Sequence, residues 1–430
     1  MIQKIKNLSF RLLKKSEKYT KTDMVYLAKG QFWLMLGQGI SSLSSFLLAI
    51  AFANLLPKET YGTYKYVLSI FGILTISTLT GLNTVISQTV AHGHEGILLK
   101  SLKIKIKYGV LGCLASLGIA VYYYLQHNSL LAMAFLLISI FVPLMDSFTL
   151  YVAYLQGKKL FKESTIYLTY NRLIATAIMA ATLFLTKNLY IILSVYFLSW
   201  IILRYWAWKN SLKKFPPNSV GDSKVMGYGK VSSLIGLTAS LIGSLDMILL
   251  FHYMGAVAVA IYSFAIIPVQ QFRRLFNQIP TLAMPKFAQR PIVEIEKLFW
   301  KRIFFLAFIG GLFSLVYIII APFVFKIFFP QYLDSIRPSQ IFSIVMIINL
   351  ALAVLGPLVN SRITLVPKKM LYLWNIPSII LVISISLTIK SLGIIGIMIS
   401  QILSTASTFV ISYTIWQKIK KIDKNNSSIE

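Results

Sequence analysis

Three arginines, Arg172, Arg273 and Arg274, lie inside long apolar runs. A charge there costs about 2.5–3.5 kcal/mol on insertion scales, so each must be compensated or face water. Their polar neighbours recur at helical spacing. Thr165, Thr169, Arg172 and Thr176 are separated by four, three and four residues, and Gln270, Arg274, Asn277 and Thr281 repeat those steps with Arg273 alongside. Such spacing gathers each set on one helix face. A guanidinium presents a planar fork of donors that suits a pair of phosphate oxygens. Arg172 sits roughly 14 Å into its run at 1.5 Å per residue, too deep to snorkel easily. Arg172, Arg273, Arg274, Gln270, Asn277 and Thr169 are therefore expected to line a net-positive cavity that binds an anionic substrate. Similar stripes, Gln31, Gln38, Ser42 and Ser45, and Ser77, Thr80, Thr84 and Ser87, suit either that cavity or helix packing. Arg204, beside Tyr205, Trp206 and Trp208, reads as an interfacial anchor.

Two acids are as deep, Asp146 and Asp246. Either could carry a proton or help bind sodium. Either could equally be a counter-ion, Asp146 to Arg172 and Asp246 to Arg273. Asp146 follows Pro143, an expected kink. Asp246 ends a stripe of small residues, Ser232, Gly236, Ala239 and Gly243, expected to allow close helix approach. No nucleophile-and-base arrangement, phosphate-cradling loop or metal-ligand spacing occurs, so neither an enzyme nor a cofactor is expected. His92 and His94 have no third ligand near them in sequence. The single cysteine, Cys113, excludes a disulfide within the chain.

The elements that must hold these residues are membrane spans. A helix needs roughly 20 apolar residues to cross a hydrocarbon core about 30 Å thick. Twelve windows qualify: 30–56, 66–91, 108–126, 130–156, 164–186, 188–208, 230–254, 256–284, 303–325, 338–361, 370–389 and 391–417. With both termini cytoplasmic, 32 of the 42 Lys and Arg fall in inside segments and six in outside segments or helix ends, Lys58 and Lys65 among the six. That asymmetry is the positive-inside signature. The 57% hydrophobic and 13% charged composition excludes an ordinary soluble domain. The net charge of +29 serves insertion and contact with anionic membrane lipids, and no nucleic-acid partner is expected. Ala51-Phe52-Ala53 mimics a signal cleavage site, but the apolar run before it is too long for a signal core.

The organisation is expected to be a basic cytoplasmic tail (1–29), a six-helix bundle (30–208), a cytoplasmic linker (209–229) marked by Pro216-Pro217 and Gly221, a second bundle (230–417) and a cytoplasmic tail (418–430). The first residues suit either an interfacial amphipathic helix or a solvated basic tail. An offset of 198 residues sets 56–66 beside 254–264, with Tyr64 on Tyr262. Six spans separate the halves, so the repeat is parallel and a site is expected between them. The fold class is thus all-α integral membrane, with twelve transmembrane helices in two parallel six-helix bundles around a central cavity.

Several stretches resemble the polysaccharide flippases of the multidrug/oligosaccharidyl-lipid/polysaccharide exporter superfamily. LAKGQFWLMLGQGISSLSSFLLAIAFANLLPKETYGTYKY (27–66) is similar to that family's first helix, outer Leu-x-Pro turn and Tyr-Gly-x-Tyr entry to helix 2. YLQGKKLFKES (154–164) resembles its helix 4–5 junction. AIYSFAIIPVQQFRRLFNQIPTLAMPKFAQ (260–289) resembles its helix 8, and KSLGIIGIMISQILSTAS (390–407) the Gly-x-x-Gly start of its last helix. The resemblance implies a V-shaped twelve-helix fold in the bacterial cytoplasmic membrane. It implies translocation of undecaprenyl-pyrophosphate-linked oligosaccharide units for surface polysaccharide such as O-antigen, with a polysaccharide polymerase and chain-length regulator as partners. A drug exporter of the same superfamily would share the topology but favour an acidic, aromatic cavity, which the arginines disfavour.

Overall fold

The computed structural model of the chain describes residues 24–220, 225–276, 292–362, 366, 370 and 372–427. All regular structure among them is helical. The elements are α1 (Met24–Leu55), α2 (Lys58–Leu74), α3 (Leu82–Ala91), α4 (Leu98–Leu125), α5 (Ser129–Ser139), α6 (Val142–Met145), α7 (Leu150–Gly157), α8 (Phe161–Leu185), α9 (Leu189–Lys214), α10 (Val225–Phe276), α11 (Ile292–Phe328), α12 (Ile336–Phe342), α13 (Val345–Asn360) and α14 (Ile376–Ser427). Seven described helices are long and apolar enough to cross a membrane, or up to ten spans if each of three bent pairs counts as one. This is a multi-pass membrane protein.

The bent pairs have local causes. The segment 58–91 bends by 46° where a 3₁₀ turn (Thr75–Thr78) ends at Leu79, which takes a left-handed φ of 58°. The segment 129–157 bends by the same 46°, with Pro143 in the first turn of α6. Proline lacks the N–H that would continue the ladder, so the expected kink is present. Two very long helices are interrupted at glycine: α10 at Gly255 (φ 78°) and α14 at Gly393 (φ 56°). Only glycine takes such dihedrals without steric cost. Gly255 also lies 198 residues after Pro57, the offset of the internal repeat.

Two compact units emerge. The first holds Leu74–Ala181 and Leu193–Gly236 with the chain up to Phe46; the second holds Leu47–Ile73, Thr182–Ile192 and the chain from Leu237. In the first unit, Leu82, Ile86, Leu98, Leu150, Tyr154 and Ala207 share one core. α4 approaches both bends closely: a Cβ on Gly112 would lie 2.6 Å from the Leu74 carbonyl, and one on Gly109 2.6 Å from Pro143 Cα. The stretch expected to be a linker behaves differently from its composition. α9 continues to Lys214, and beyond it Asn218 donates its backbone N–H to buried Glu95 at 3.1 Å while Gly96 N–H donates to the Val220 carbonyl at 2.7 Å. Glu95 also pairs with Lys158 at 3.0 Å.

In the second unit, one core joins α10 (Leu250, Val259, Tyr262) to α14 (Ile385, Ile397, Met398), and another joins α11, α13 and the end of α14 around Trp416. At one end, Tyr61 of α2 packs on Phe264 of α10 with ring centroids 4.8 Å apart, and Lys58 pairs with Asp334 at 3.1 Å. Large apolar side chains such as Phe308 and Leu387 are left exposed, as lipid contact requires.

Candidate functional site

Each unit holds one aspartate within its helices, Asp146 half-buried and Asp246 buried, and the two have different partners. In the first unit, Asp146 stands between α6 and α7, just past the bend that precedes α6. Its Oδ2 receives Lys105 Nζ of α4 at 2.7 Å and Thr78 Oγ1 at 3.1 Å, while Oδ1 receives Thr149 Oγ1 at 3.3 Å. Lys105 also donates to Asn83 Oδ1 at 3.0 Å, and its side chain is fully buried. One network thus ties both bends to α4. The expected counter-ion Arg172 is corrected to Lys105, which the charge count had assigned to a cytoplasmic loop. α4 begins at Leu98, ten residues before its hydropathy window, because a paired lysine can lie inside a helix that an averaged hydropathy excludes. A signal was present: the buried face of α4 reads Ser101, Lys105, Gly109, Gly112, Ser116, Ala120, so Lys105 interrupts a stripe of small residues at helical spacing.

Arg172 of α8 donates to Ser45 Oγ of α1, and its guanidinium lies 5.8 Å from the Trp200 ring centroid. Arg204 of α9 stacks on the same indole at 4.7 Å and donates Nη1 to the Met145 carbonyl. Arg204, expected as an interfacial anchor, has a further attachment besides its aromatic neighbours. Its guanidinium is held by the backbone beside Asp146, not only by the aromatic belt. Thr169 is half-buried one turn from Arg172, and Thr165 packs where a Cβ on Gly37 of α1 would meet its methyl at 2.5 Å. This part of the threonine stripe is a helix-packing face.

In the second unit, Asp246 of α10 is only 5% exposed. Its Oδ1 accepts the Met247 N–H at 2.7 Å; Oδ2 accepts the Tyr262 hydroxyl and Gln401 Nε2, the latter at 3.3 Å. All three donors are neutral, so Arg273 is not the counter-ion expected of it. Lys65 of α2 lies within electrostatic reach of both Asp246 and Arg274. The sequence had placed that lysine outside. Arg273 and Gln270 are exposed and Arg274 half-buried. Asn277 lies outside the described residues. So do the side chains of Ser232, Gly236 and Ala239; at Gly243 a Cβ would meet nothing within 4 Å, so no close helix approach occurs there. Lys65 thus lies within electrostatic reach of Asp246 and Arg274, and Arg172 and Arg204 share the Trp200 ring. Among the described residues no three His, Cys, Asp or Glu side chains gather as metal ligands.

No curated protein sequence matches the chain. Its fold is similar to that of two solved structures, each of a multidrug resistance MATE family transporter of the MOP superfamily. The outward-facing one aligns with TM-score 0.56 and 12% identity over 92% of this chain and 96% of that one. The inward-facing one aligns with TM-score 0.56 and 14% identity over 89% and 96%. A MATE crystal structure in complex with MaD3S gives TM-score 0.54 and 13% identity over 92% and 96%. At this identity the likeness establishes the fold, and the equal scores favour neither conformation. The family model for "Polysaccharide biosynthesis protein" matches residues 27–290, more than half of the chain and across the helices that carry Lys105, Asp146, Arg172, Arg204 and Asp246. The chain is a member of the polysaccharide biosynthesis protein family, built on the MATE transporter fold.

Proposed function

We propose that this protein flips an undecaprenyl-pyrophosphate-linked oligosaccharide unit across the bacterial cytoplasmic membrane by alternating access, supplying surface polysaccharide assembly. The observation that supports the reading is a positive excess inside the helices of a member of this family: buried Lys105 and half-buried Arg172 and Arg204 lie on the same group of helices as the carboxylate of Asp146. A pyrophosphate linkage is the anion such a surplus would accept, since guanidinium forks pair with phosphoryl oxygens. The sugars would meet the Ser, Thr, Gln and Asn side chains that accompany the arginines. Counting the breaks at Gly255 and Gly393 as turns brings the ten spans to twelve, with both termini cytoplasmic as the charge asymmetry requires.

Asp246 is the carboxylate suited to carry a coupling proton or cation. Its hydrogen bonds among the described residues are all from neutral donors, so it can change charge state without breaking a salt bridge. A polymerase and a chain-length regulator would act on the flipped unit. The deciding experiment deletes the gene in its host and extracts undecaprenyl-linked intermediates. Accumulation of repeat units on the inner leaflet, with loss of surface polysaccharide, is expected. Unchanged intermediates with altered sensitivity to cationic dyes would instead assign a drug exporter, the activity named for the structural neighbours.

A further inference from the structure

We infer that the chain leaving α9 is a fixed strap: residues 215–220 are fastened to the first unit around Glu95, so they move with that unit and do not serve as a slack tether between the two halves of the sequence. The fastening stands on geometry alone, and its consequence for transport rests on the alternating-access reading above.

The segment has the composition of a loose linker, with Pro216-Pro217, Asn218 and Ser219 in a row. Its bonds are those of a fastening. Glu95 N–H donates to Asn218 Oδ1 at 3.1 Å, and Asn218 N–H donates back to Glu95 Oε2 at 3.1 Å. Asn218 Nδ2 donates to the Gly93 carbonyl at 2.8 Å, and Gly96 N–H to the Val220 carbonyl at 2.7 Å. Upstream, the Tyr154 hydroxyl of α7 donates to the Phe215 carbonyl at 2.8 Å. Lifting the strap breaks all five bonds together, and two proline rings stiffen the chain that would have to swing. The seat is built for this contact. Glu95 is only 8% exposed, although Asn218 is exposed, and Lys158 just past α7 holds Oε1 at 3.0 Å. A Cβ on Gly96 would lie 2.6 Å from the Ser219 carbonyl oxygen, so glycine is what lets the two backbones pair. Three connections, those after α3, α7 and α9, thus meet at one carboxylate.

The second half repeats the grip. An offset of 201 residues, three more than at 56–66, sets Gly109 on Gly310 and Glu95 on Glu296. Both glycines press on a bent segment, with a Cβ on Gly310 placed 2.8 Å from Ile347 Cα as one on Gly109 is placed against Pro143. Glu296, near the start of α11, accepts from Lys420, which stands 202 residues after Asn218. There the held chain is α14 itself, seated by Trp416 and Ile419. In the first half it is the connection to the rest of the protein, so the same grip decides what can move.

The test closes the strap covalently in the full chain. Cys113→Ser removes the single native thiol. His94→Cys and Ser219→Cys then flank the Glu95–Asn218 pair and are joined by a short bis-maleimide in vesicles, with yield read by mass spectrometry. High yield is expected, with transport continuing at the rate before joining. Asn218→Ala removes side-chain bonds to Glu95, Gly93 and Val220 from an exposed position. It is expected to fold with nearly unchanged thermal unfolding, to transport several-fold more slowly, and to regain its rate when 94 and 219 are joined. Rescue by a crosslink is a readout that lost stability alone would not give. Gly96→Ala, which pushes on Ser219, should slow transport in the same direction. If neither variant folds, joining in the otherwise unchanged chain carries the decision. The inference is overturned if the thiols do not join, if joining stops transport because the strap opens in each cycle, or if folded Asn218→Ala and Gly96→Ala transport like wild type. The cargo measured is the one that gene deletion identifies, lipid-linked unit or cationic dye, so failure of the substrate reading leaves the strap to be judged separately.

Discussion

Asp146 and Asp246 are the same residue held within the helices of two units by opposite means. Asp146 is neutralised by a lysine whose side chain has no exposure, and that pair is knitted to Thr78, Asn83 and Thr149 across two bent segments. Asp246 is held by a tyrosine hydroxyl, a glutamine amide and its neighbour's N–H. A buried ion pair is hard to open from either side, because removing one partner strands the other. A carboxylate on neutral donors can gain or lose a positive ion with its scaffold intact. The difference sets a carboxylate in a salt bridge in the first unit against a carboxylate on neutral donors in the second.

The contrast is broken most strongly at Lys105. Lys105→Ala should cost about 3–5 kcal/mol by leaving Asp146 unpaired, read as a large fall in thermal unfolding temperature and in yield of folded protein. Lys105→Met combined with Asp146→Leu should recover most of that loss, since two well-packed apolar residues can replace a buried pair. Failure of the double variant to recover would mean that the charges serve the substrate as well as the fold. At the other aspartate, Asp246→Asn should cost only about 1 kcal/mol because the donors still find an acceptor. Under the coupling proposal it should leave flipping in vesicles insensitive to an imposed proton or sodium gradient while pyrophosphate binding survives. A preserved gradient response would remove Asp246 from that role. Tyr262→Phe deletes one donor, and a loss of about 0.5–1.5 kcal/mol is expected, again by thermal unfolding. Smallest is the half-exposed Lys58–Asp334 pair, where Lys58→Ala should change stability by at most about 1 kcal/mol.

How much of this was legible in the sequence follows from the range of each interaction. Hydropathy located the helices, and Pro143 announced one bend, because both signals are local. Lys105 was misassigned because a sliding average reads one lysine as the end of a span, although its neighbours Ser101 and Gly109 mark it as part of a packed face. The partners of Asp246 were not legible. Tyr262 lies past the break at Gly255, and Gln401 is 155 residues away on α14, so only tertiary packing joins them. Arg204 was half legible. Its aromatic neighbours suggested an interface, while its bond to the Met145 carbonyl, 59 residues away, lay beyond any local pattern.

The Lys105–Asp146 pair also bears on how the chain is made. α4 and the α5–α7 segment are joined by the short turn 126–128, in which Asn128 caps α5 by accepting the Leu131 N–H at 3.0 Å. The two charges therefore ride on opposite arms of one helical hairpin. During synthesis the lysine arm emerges first and carries a charge whose solitary insertion is unfavourable, and the aspartate that neutralises it follows some 40 residues later. The arms gain by entering the bilayer as a unit, because each charge is neutralised only once the other arm is in place.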